Sequence, residues 1–253
     1  MIKSFFAIII LVLTFTVPSS AQRETVDQSA QWFAVSSLFK VSKHYSILAE
    51  GQFRFVSGMQ PMQFQARTAF DVHVSKQFTF MPIGYVYSWN PIYGEQPATY
   101  SNNEHRIFQQ VQYTHKIGRL NFGHRARLEQ RFIQVHSVNN GEVVNEGYTL
   151  YLNRVRYRFQ LQIPINNKEI VPGTFYASMY DELFMDFGSN VVYTDPDQNR
   201  IFLGAGYKIN KDGAIQAGYF EQQLIKLSGT KQENNIGFQI TLLYNFDLTK
   251  KVE

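Results

Sequence analysis

The sequence predicts an all-β protein: a single closed antiparallel transmembrane β-barrel of about ten to twelve strands. Polar and apolar residues alternate along most of the 253-residue chain, and a period of two residues is typical of β-strands. An apolar segment with the features of an export signal precedes the alternating part. Tight turns and longer polar loops connect the alternating segments, as in barrels of the bacterial outer membrane.

The first residues have the composition of a secretory signal peptide. Lys3 supplies the positive charge, residues 5–17 form the apolar segment, and small residues end the signal at Ala21. We therefore expect a cleaved signal peptide at 1–21 and one barrel domain at 22–253, located in the bacterial outer membrane. An uncleaved anchor is less favoured, because the apolar segment is shorter than the ~20 residues that a spanning helix needs.

The composition favours strands and excludes several kinds of site. The chain has 22 Phe, 15 Tyr and 2 Trp, which are residues common in sheets and at membrane interfaces. It has no cysteine, which excludes disulfides, thiolate metal sites and a lipid-modified cysteine. The net charge of +4 is spread over the strands rather than gathered on one basic face, so no nucleic-acid partner is expected.

About eleven segments have the alternation expected of strands, and most exceed the ~9–11 residues that cross a bilayer. They are 30–41, 44–57, 62–75, 78–90, 103–117, 119–135, 148–165, 173–186, 198–209, 213–227 and 235–248. Single-chain bacterial barrels have even strand numbers, so ten or twelve strands are expected and twelve is favoured. A missing strand near residues 22–30, or a misassigned early hairpin, would reconcile the two numbers.

The two faces of the strands differ in charge. In the seventh segment Arg154 and Arg156 share one face, while Val155 and Tyr157 share the other. An arginine facing lipid near mid-bilayer costs ~2–4 kcal/mol. The charged face is therefore predicted to line the interior and the apolar face to meet lipid.

A few residues do not follow this scheme. Asp181, Gln109, Gln130 and Gln222 are predicted on the outward face despite being polar. Pro82 lies within the fourth segment and cannot donate a ladder hydrogen bond, so that strand is expected to begin after it.

The connections alternate in length. Tight turns are predicted at 117–119 and 210–213, and longer polar loops at 90–102, 136–147 and 188–197. Outer-membrane barrels have short periplasmic turns and longer outside loops. The C-terminus is therefore predicted to lie in the periplasm.

Several motifs of this chain are similar to those of one bacterial family. They are Trp32 at the start of the first strand, Glu50-x-Gln52-x-Arg54, Gly84-Tyr85-x-Tyr87, Glu104-x-Arg106 with Gln110, Arg125-x-Arg127-Leu128-Glu129-Gln130-Arg131, Arg154-x-Arg156-Tyr157, Asp181-Glu182-x-Phe184, Gln198-Asn199-Arg200, Gly204-x-Gly206-Tyr207 and Gly218-Tyr219-x-Glu221-Gln222. Over nearly the whole mature chain, the sequence resembles the bacterial outer-membrane family of domain of unknown function 2490. The resemblance implies an outer-membrane barrel and no known reaction, substrate or partner.

The predicted inward face carries ten arginines and six acidic residues, which form the candidate site. They are Glu50, Arg54, Arg67, Asp71, Glu104, Arg106, Arg125, Arg127, Glu129, Arg131, Arg154, Arg156, Arg158, Glu182, Arg200 and Glu221. Paired arginines and carboxylates can fill a lumen of this size, and this salt-bridged filling, with a structural or ligand-binding role, is the favoured interpretation. The alternative is an anion or small-solute channel, since arginine-lined constrictions favour anions.

An outer-leaflet lipid-acyl hydrolase or transferase is a second, less favoured alternative. Such chemistry needs a serine and a histidine within hydrogen-bond reach. His105 and His136 are predicted near the outer ends of neighbouring strands and facing outward. No serine lies beside either on a strand, because Ser101 and Ser137 are in loops. No catalytic residue is therefore assigned.

No metal or cofactor is expected, because the chain has neither an HExxH motif nor a phosphate-binding loop. The glycines at Gly204 and Gly206 lie within a predicted strand, where they ease packing or a bend. The expected partners are outer-membrane lipids, the barrel-assembly machinery during insertion and, in the ligand-binding interpretation, a small anion. The pattern leaves open whether the lumen is open or plugged.

Overall fold

The structure is a computed structural model, and it describes residues 23–192 and 196–249. The predicted signal peptide, residues 1–21, lies outside the described residues. Within the described ranges the regular structure consists of strands. No helix in this part of the chain is long and apolar enough to span a membrane.

The described residues form eleven long strands, a small hairpin and one two-residue strand. In chain order they are β1 (Glu24–Lys40), β2 (Tyr45–Val56), β3 (Gln60–His73), β4 (Phe78–Asn90), β5 (Asn102–Ile117), β6 (Leu120–Ile133), β7 (His136–Asn139), β8 (Glu142–Asn145), β9 (Leu150–Pro164), β10 (Phe175–Phe187), β11 (Gln198–Lys208), β12 (Gly213–Ile225), β13 (Lys231–Tyr244) and β14 (Phe246–Asp247). The β7–β8 hairpin is a separate sheet within the connection from β6 to β9.

The long strands close into a barrel through a parallel pair. Each long strand pairs with the next in antiparallel fashion, and β1 then pairs with β13 in parallel. This seam runs from Glu24 opposite Lys231 to Ser36 opposite Leu243. The short strand β14 continues it, with Phe39 opposite Phe246.

The predicted all-β closed barrel is confirmed, whereas its strand number differs from the favoured twelve. Residues 24–30 do not form an additional strand, because they belong to β1, which begins at Glu24. Eleven long strands make the first and last run in the same direction. A parallel pair still satisfies the backbone groups of both edge strands, so an even number is not required for closure.

Strand β4 does not begin after Pro82, as the sequence had suggested. It starts at Phe78, and the pairing with β5 shifts register between Met81 and Gly84. An irregularity of the ladder accommodates a residue that lacks a backbone N–H.

The interior is more aromatic than the two-faced pattern predicted. Trp32, Phe202 and Phe220 are buried inside the barrel, and Trp32 stacks on Phe220 with ring centroids 4.0 Å apart. Gly204 and Gly218 face each other across β11 and β12, and a Cβ at either would overlap the Phe202 ring. The glycines of these strands make room for inward rings.

The two ends of the barrel carry different connections. The turns 41–44, 74–77, 118–119 and 209–212, together with the longer connection 165–174, lie at one end, here called the short-turn end. The opposite end, called the long-loop end, carries the loop between β4 and β5, the hairpin connection and the loop between β10 and β11, together with the turns 57–59 and 226–230.

Candidate functional site

The structure places fifteen of the sixteen predicted site residues on the interior face. They are Glu50, Arg54, Arg67, Asp71, Glu104, Arg106, Arg125, Arg127, Glu129, Arg131, Arg154, Arg156, Arg158, Glu182 and Arg200. They come from seven strands, β2, β3, β5, β6, β9, β10 and β11, so closure of the sheet brings them together.

The prediction for Glu221 is wrong, because this residue faces outward. Its neighbours Phe220 and Gln222 are buried, and Gln222 accepts a 3.2 Å hydrogen bond from Asn235 inside the barrel. Glu221 instead accepts a 3.3 Å hydrogen bond from Gln223 on the outer face. Strand β12 has polar residues on both faces, so the position of its charged residue does not identify the inward face.

The other outward polar residues form pairs. Asp181 accepts a 2.7 Å hydrogen bond from Asn199 on the neighbouring strand. The amides of Gln109 and Gln130 hydrogen-bond each other at 3.3 and 3.4 Å. Pairing lowers the cost of exposing polar groups on an apolar face.

A charge-balanced layer lies toward the long-loop end. Three arginines and three carboxylates alternate in it: Arg106, Glu104, Arg131, Asp186, Arg154 and Asp197. Successive members are joined by ion pairs of 2.6, 2.6, 2.9, 2.7 and 2.6 Å. This balanced layer leaves no net charge at that level of the lumen.

Two members of the balanced layer, Asp186 and Asp197, were missed by the sequence reasoning. Asp186 lies four residues after Glu182 on the same face of β10, so strand alternation could have found it. Asp197 precedes β11 in a loop, where no periodic signal exists. Its role depends on Arg154 of β9 reaching past β10 to the residue that precedes β11.

Glu182 is the centre of a second cluster. It is fully buried and forms ion pairs with Arg125 at 2.6 Å and Arg156 at 2.7 Å. Arg158 and Arg200 lie farther from the same carboxylate, at 3.7 and 3.8 Å. One negative charge therefore serves four guanidinium groups.

Glu129 supports the same cluster from β6. It is fully buried, pairs with Arg156 at 2.6 Å, and lies 3.5 Å from Arg127 and 3.8 Å from Arg106. Arg127 also donates hydrogen bonds of 2.9 and 2.6 Å to the Gln110 side-chain oxygen.

Like charges are opposed across two strands. Arg125 lies opposite Arg158, and Arg127 lies opposite Arg156, in the β6–β9 pair. Directly opposed like charges destabilise a sheet, so the interleaved carboxylates are required for these strands to pair. Aromatic faces help as well, since the Arg158 guanidinium lies 3.7 Å from the centroid of an inward tyrosine ring.

Arg54 has no carboxylate partner among the described residues. Its guanidinium donates 2.7 Å hydrogen bonds to Gln52 and Gln63 and lies 4.4 Å from the centroid of the Trp32 ring. Arg200 lies over the same ring, at 4.7 Å. Amide oxygens and an aromatic face solvate this cation without neutralising it.

Two cavities lie on either side of the charged side chains. The cavity toward the short-turn end, here called the vestibule, has a volume of about 470 Å³, and the chamber toward the long-loop end has about 330 Å³. Arg54, Arg156 and Arg200 line both. These three side chains, here called the barrier, therefore lie between the two spaces.

Residues 91–101, here called the strap, cover the chamber at the long-loop end of the barrel. This segment connects β4 and β5 but reaches strands at the seam. Gln96 donates a 2.8 Å hydrogen bond to the Glu24 carbonyl, and the Tyr93 hydroxyl donates a 3.0 Å hydrogen bond to Glu233. Tyr93 also lines the chamber.

The Tyr93 contact is buried and charged. Glu233 is fully buried and also pairs with Lys226, which lies 5.1 Å from the centroid of the Tyr93 ring. Burial and the Glu233 carboxylate raise the pKa of the Tyr93 phenol well above its usual value. The phenol therefore stays protonated and remains a donor to Glu233.

The histidines do not assemble an outer-rim catalytic pair. His105 Nδ1 lies 2.5 Å from the Tyr85 hydroxyl, and the His136 ring packs 5.6 Å from that of Tyr100. In the described ranges neither has a serine partner.

A serine does meet a histidine inside the barrel. Ser46 Oγ and His73 Nε2 are 2.8 Å apart, and Asp71 Oδ2 lies 3.9 Å from the same nitrogen. A relay needs the acid on the opposite ring nitrogen. This geometry does not form a nucleophilic triad.

The comparison with protein families agrees with the resemblance seen in the sequence. The family described as "Protein of unknown function (DUF2490)" matches residues 30–234. The comparison with curated proteins finds no match. A solved structure described as "NanC porin structure in rhombohedral crystal form" has 13% identity and a TM-score of 0.45, covering 83% of this chain and 90% of that chain. Because the family match spans most of the barrel, the chain belongs to the DUF2490 family of proteins of unknown function.

Proposed function

We propose that this protein is an outer-membrane β-barrel with a ligand-binding lumen that is closed to through-flow. The outward surface supports the membrane location, because residues such as Leu203, Tyr219 and Phe238 expose large apolar side chains around the wall. Lipid is the solvent that suits such a surface, while the arginines remain inside. The signal peptide predicted at 1–21 supplies the route of export.

One observation supports the proposal that the lumen is closed. Glu182 and Glu129 are fully buried between the vestibule and the chamber, each within ion-pair distance of three or more arginines. Buried ion pairs are lost only at a high cost, since removing one partner leaves an uncompensated charge. The barrier is therefore a fixed part of the fold and not a set of mobile rim charges.

The ligand-binding role rests on the vestibule. Arginine and glutamine are the most frequent residues of its lining, and its volume of about 470 Å³ lies within the range of small-molecule sites. Short turns face the periplasm in outer-membrane barrels, so a ligand would reach the vestibule from that side.

Planar bilayers containing the purified protein test the closed lumen. We expect no steady single-channel conductance at moderate voltage. Steady conductance would contradict a closed lumen and favour the anion-channel alternative. Fractionation of cells expressing the full chain tests the location, and recovery in the inner membrane or the soluble fraction would contradict it.

A gated anion channel is the second candidate, and the lining shared by the two cavities favours it. Because Arg54, Arg156 and Arg200 line both cavities, rearrangement of one layer would join the vestibule to the chamber. Conductance that appears only in brief, voltage-dependent events would favour this candidate over the closed barrel.

A further inference from the structure

We propose that the vestibule binds a small, multiply charged oxyanion of the phosphate or polycarboxylate class. The inference rests on the proposed ligand-binding function and names the class of ligand. It follows from the charge, the hydrogen-bonding state and the shape of the arginine lining.

The charges around the vestibule do not balance. Seven arginines line it: Arg54, Arg67, Arg125, Arg127, Arg156, Arg158 and Arg200. Away from the rim, the carboxylates that line it are Glu50, Asp71 and Glu182. Glu129 is not part of the lining, but it pairs with two of the seven arginines, Arg127 and Arg156. Setting these four carboxylates against seven guanidinium groups leaves three positive charges without a counter-charge.

The surplus lies at the vestibule and at its boundary with the chamber, where Arg54, Arg156 and Arg200 line both cavities. At the rim, Lys208 and Asp212 carry opposite charges and cancel. Beyond the barrier, the balanced layer is neutral. A mobile anion is therefore attracted to one place in the lumen and not to the whole interior.

Some of these arginines also lack hydrogen-bond partners. The Nε atoms of Arg54, Arg67 and Arg200 are buried and have no partner among the described residues. These three residues are only 9%, 8% and 6% exposed. A buried N–H without an acceptor is unfavourable, so the protein itself does not fully satisfy the hydrogen-bonding capacity of these three arginines.

Arginine selects the class of anion. Its planar fork donates two parallel hydrogen bonds that match the oxygens of a carboxylate or phosphate, whereas a halide cannot use the fork. Glutamine amides, among them Gln112, Gln160 and Gln239, line the same space and can donate to further oxygens. A surplus of three positive charges suits a ligand with two or three negative charges.

Isothermal titration calorimetry of the purified full chain in detergent tests the site. The probes are inorganic phosphate and citrate, titrated in chloride buffer at constant ionic strength so that screening does not change. We expect binding of at least one probe in excess chloride. Phosphate alone would identify a phosphate site, and citrate alone a polycarboxylate site. Binding of neither would overturn the proposal.

Two variants of equal charge separate a site from general attraction. Arg54→Gln removes the arginine without a carboxylate partner and is expected to weaken binding by at least about ten-fold, as for one charge-assisted hydrogen bond. Lys43→Gln removes one charge from an exposed turn at the same end and is expected to change binding by less than about two-fold. Equal weakening by both would overturn the proposal.

Arg158→Gln provides a second test of the site if the Arg54→Gln variant does not fold. Arg158 lies 3.7 Å from Glu182, and its side chain is 20% exposed, so Arg158→Gln perturbs the core less. The same loss of affinity is expected, and unchanged affinity would overturn the site.

The bilayer experiment distinguishes the two proposals. A conducting barrel that binds the probes would overturn the closed lumen and leave the anion site standing. A silent barrel that binds neither probe would leave the closed lumen standing and overturn the site.

Discussion

The Glu182 carboxylate accepts a 2.6 Å hydrogen bond from Arg125, although strand β9 lies between their two strands. The contact crosses over Arg158, which is opposite both residues in the sheet. A carboxylate on one strand therefore holds arginines of three others, β6, β9 and β11, and the curvature of the barrel makes this reach possible.

Replacing Glu182 by Gln is expected to destabilise the barrel by about 3–5 kcal/mol, since four arginines lose their shared carboxylate. Unfolding in urea, followed by the heat-dependent gel mobility of folded barrels, measures the change. The matched control is Glu221→Gln on the outer face, expected to stay within about 0.5 kcal/mol of wild type. Similar destabilisation by both variants would show that the buried carboxylate contributes no more to stability than the outer one.

Replacing Leu203 by Arg is expected to destabilise the barrel in lipid vesicles by up to about 2–4 kcal/mol, because Leu203 is exposed on the apolar face of β11. Leu248→Arg, after the last strand, is the control and is expected to have little effect. Vesicle refolding yields compare the two. A fully stable Leu203→Arg variant would contradict the assignment of that face to lipid.

Gly237→Ala is expected to impair closure of the barrel. A Cβ at this position would overlap the Ala30 carbonyl oxygen across the parallel seam, and neither backbone can move without breaking the ladder. Gly51→Ala is the control, because its Cβ would make only an ordinary contact with Phe53. The folded fraction after refolding measures the effect, and equal yields would argue against the seam.

Tyr93→Phe is expected to loosen the strap, because it removes the hydroxyl that donates to Glu233. Met62, which lines the chamber, is replaced by cysteine in a chain without other cysteines. Its labelling by a small anionic thiol reagent is expected to accelerate about ten-fold or more, as for a hydrogen bond to a charged group. Tyr100→Phe is the control, and an unchanged rate would contradict the role of the Tyr93 contact.

The strap contact is also expected to depend on pH in one direction. The folded pKa of Tyr93 is raised, so its contribution to stability is full below the usual tyrosine pKa of about 10 and is lost as the pH rises through the folded pKa. Labelling of the Met62→Cys variant, corrected for the reactivity of a free thiol, should therefore stay constant from neutral pH to about 9. A steep rise within that range would contradict the assignment.

Alternation along single strands predicts much of this molecule, because it is a local property. It places Arg154, Arg156 and Arg158 inside with their apolar neighbours outside, and the structure has them there. It fails where both faces of a strand are mixed, as at Glu221 and Gln222.

Contacts between distant strands are not predictable in the same way. The pairing of Arg154 with Asp197, or of Tyr93 with Glu233, depends on the radius of the barrel and the path of its loops. Whether the first and last strands run parallel depends on whether the total number of strands is odd, and no single segment of the sequence reveals that number. The location of the site was therefore accessible from sequence, and its division into a balanced layer and an unbalanced vestibule was not.

The parallel seam also has a topological consequence. A chain that enters the barrel at Glu24 and leaves it at Tyr244 runs the length of the barrel an odd number of times, so the two ends of the sheet lie at opposite ends of the barrel. In the proposed outer-membrane location these are opposite sides of the membrane. Epitopes fused at the two ends would then report opposite compartments. An antibody applied to intact cells would recognise one and not the other, whereas an even-stranded barrel would show both or neither.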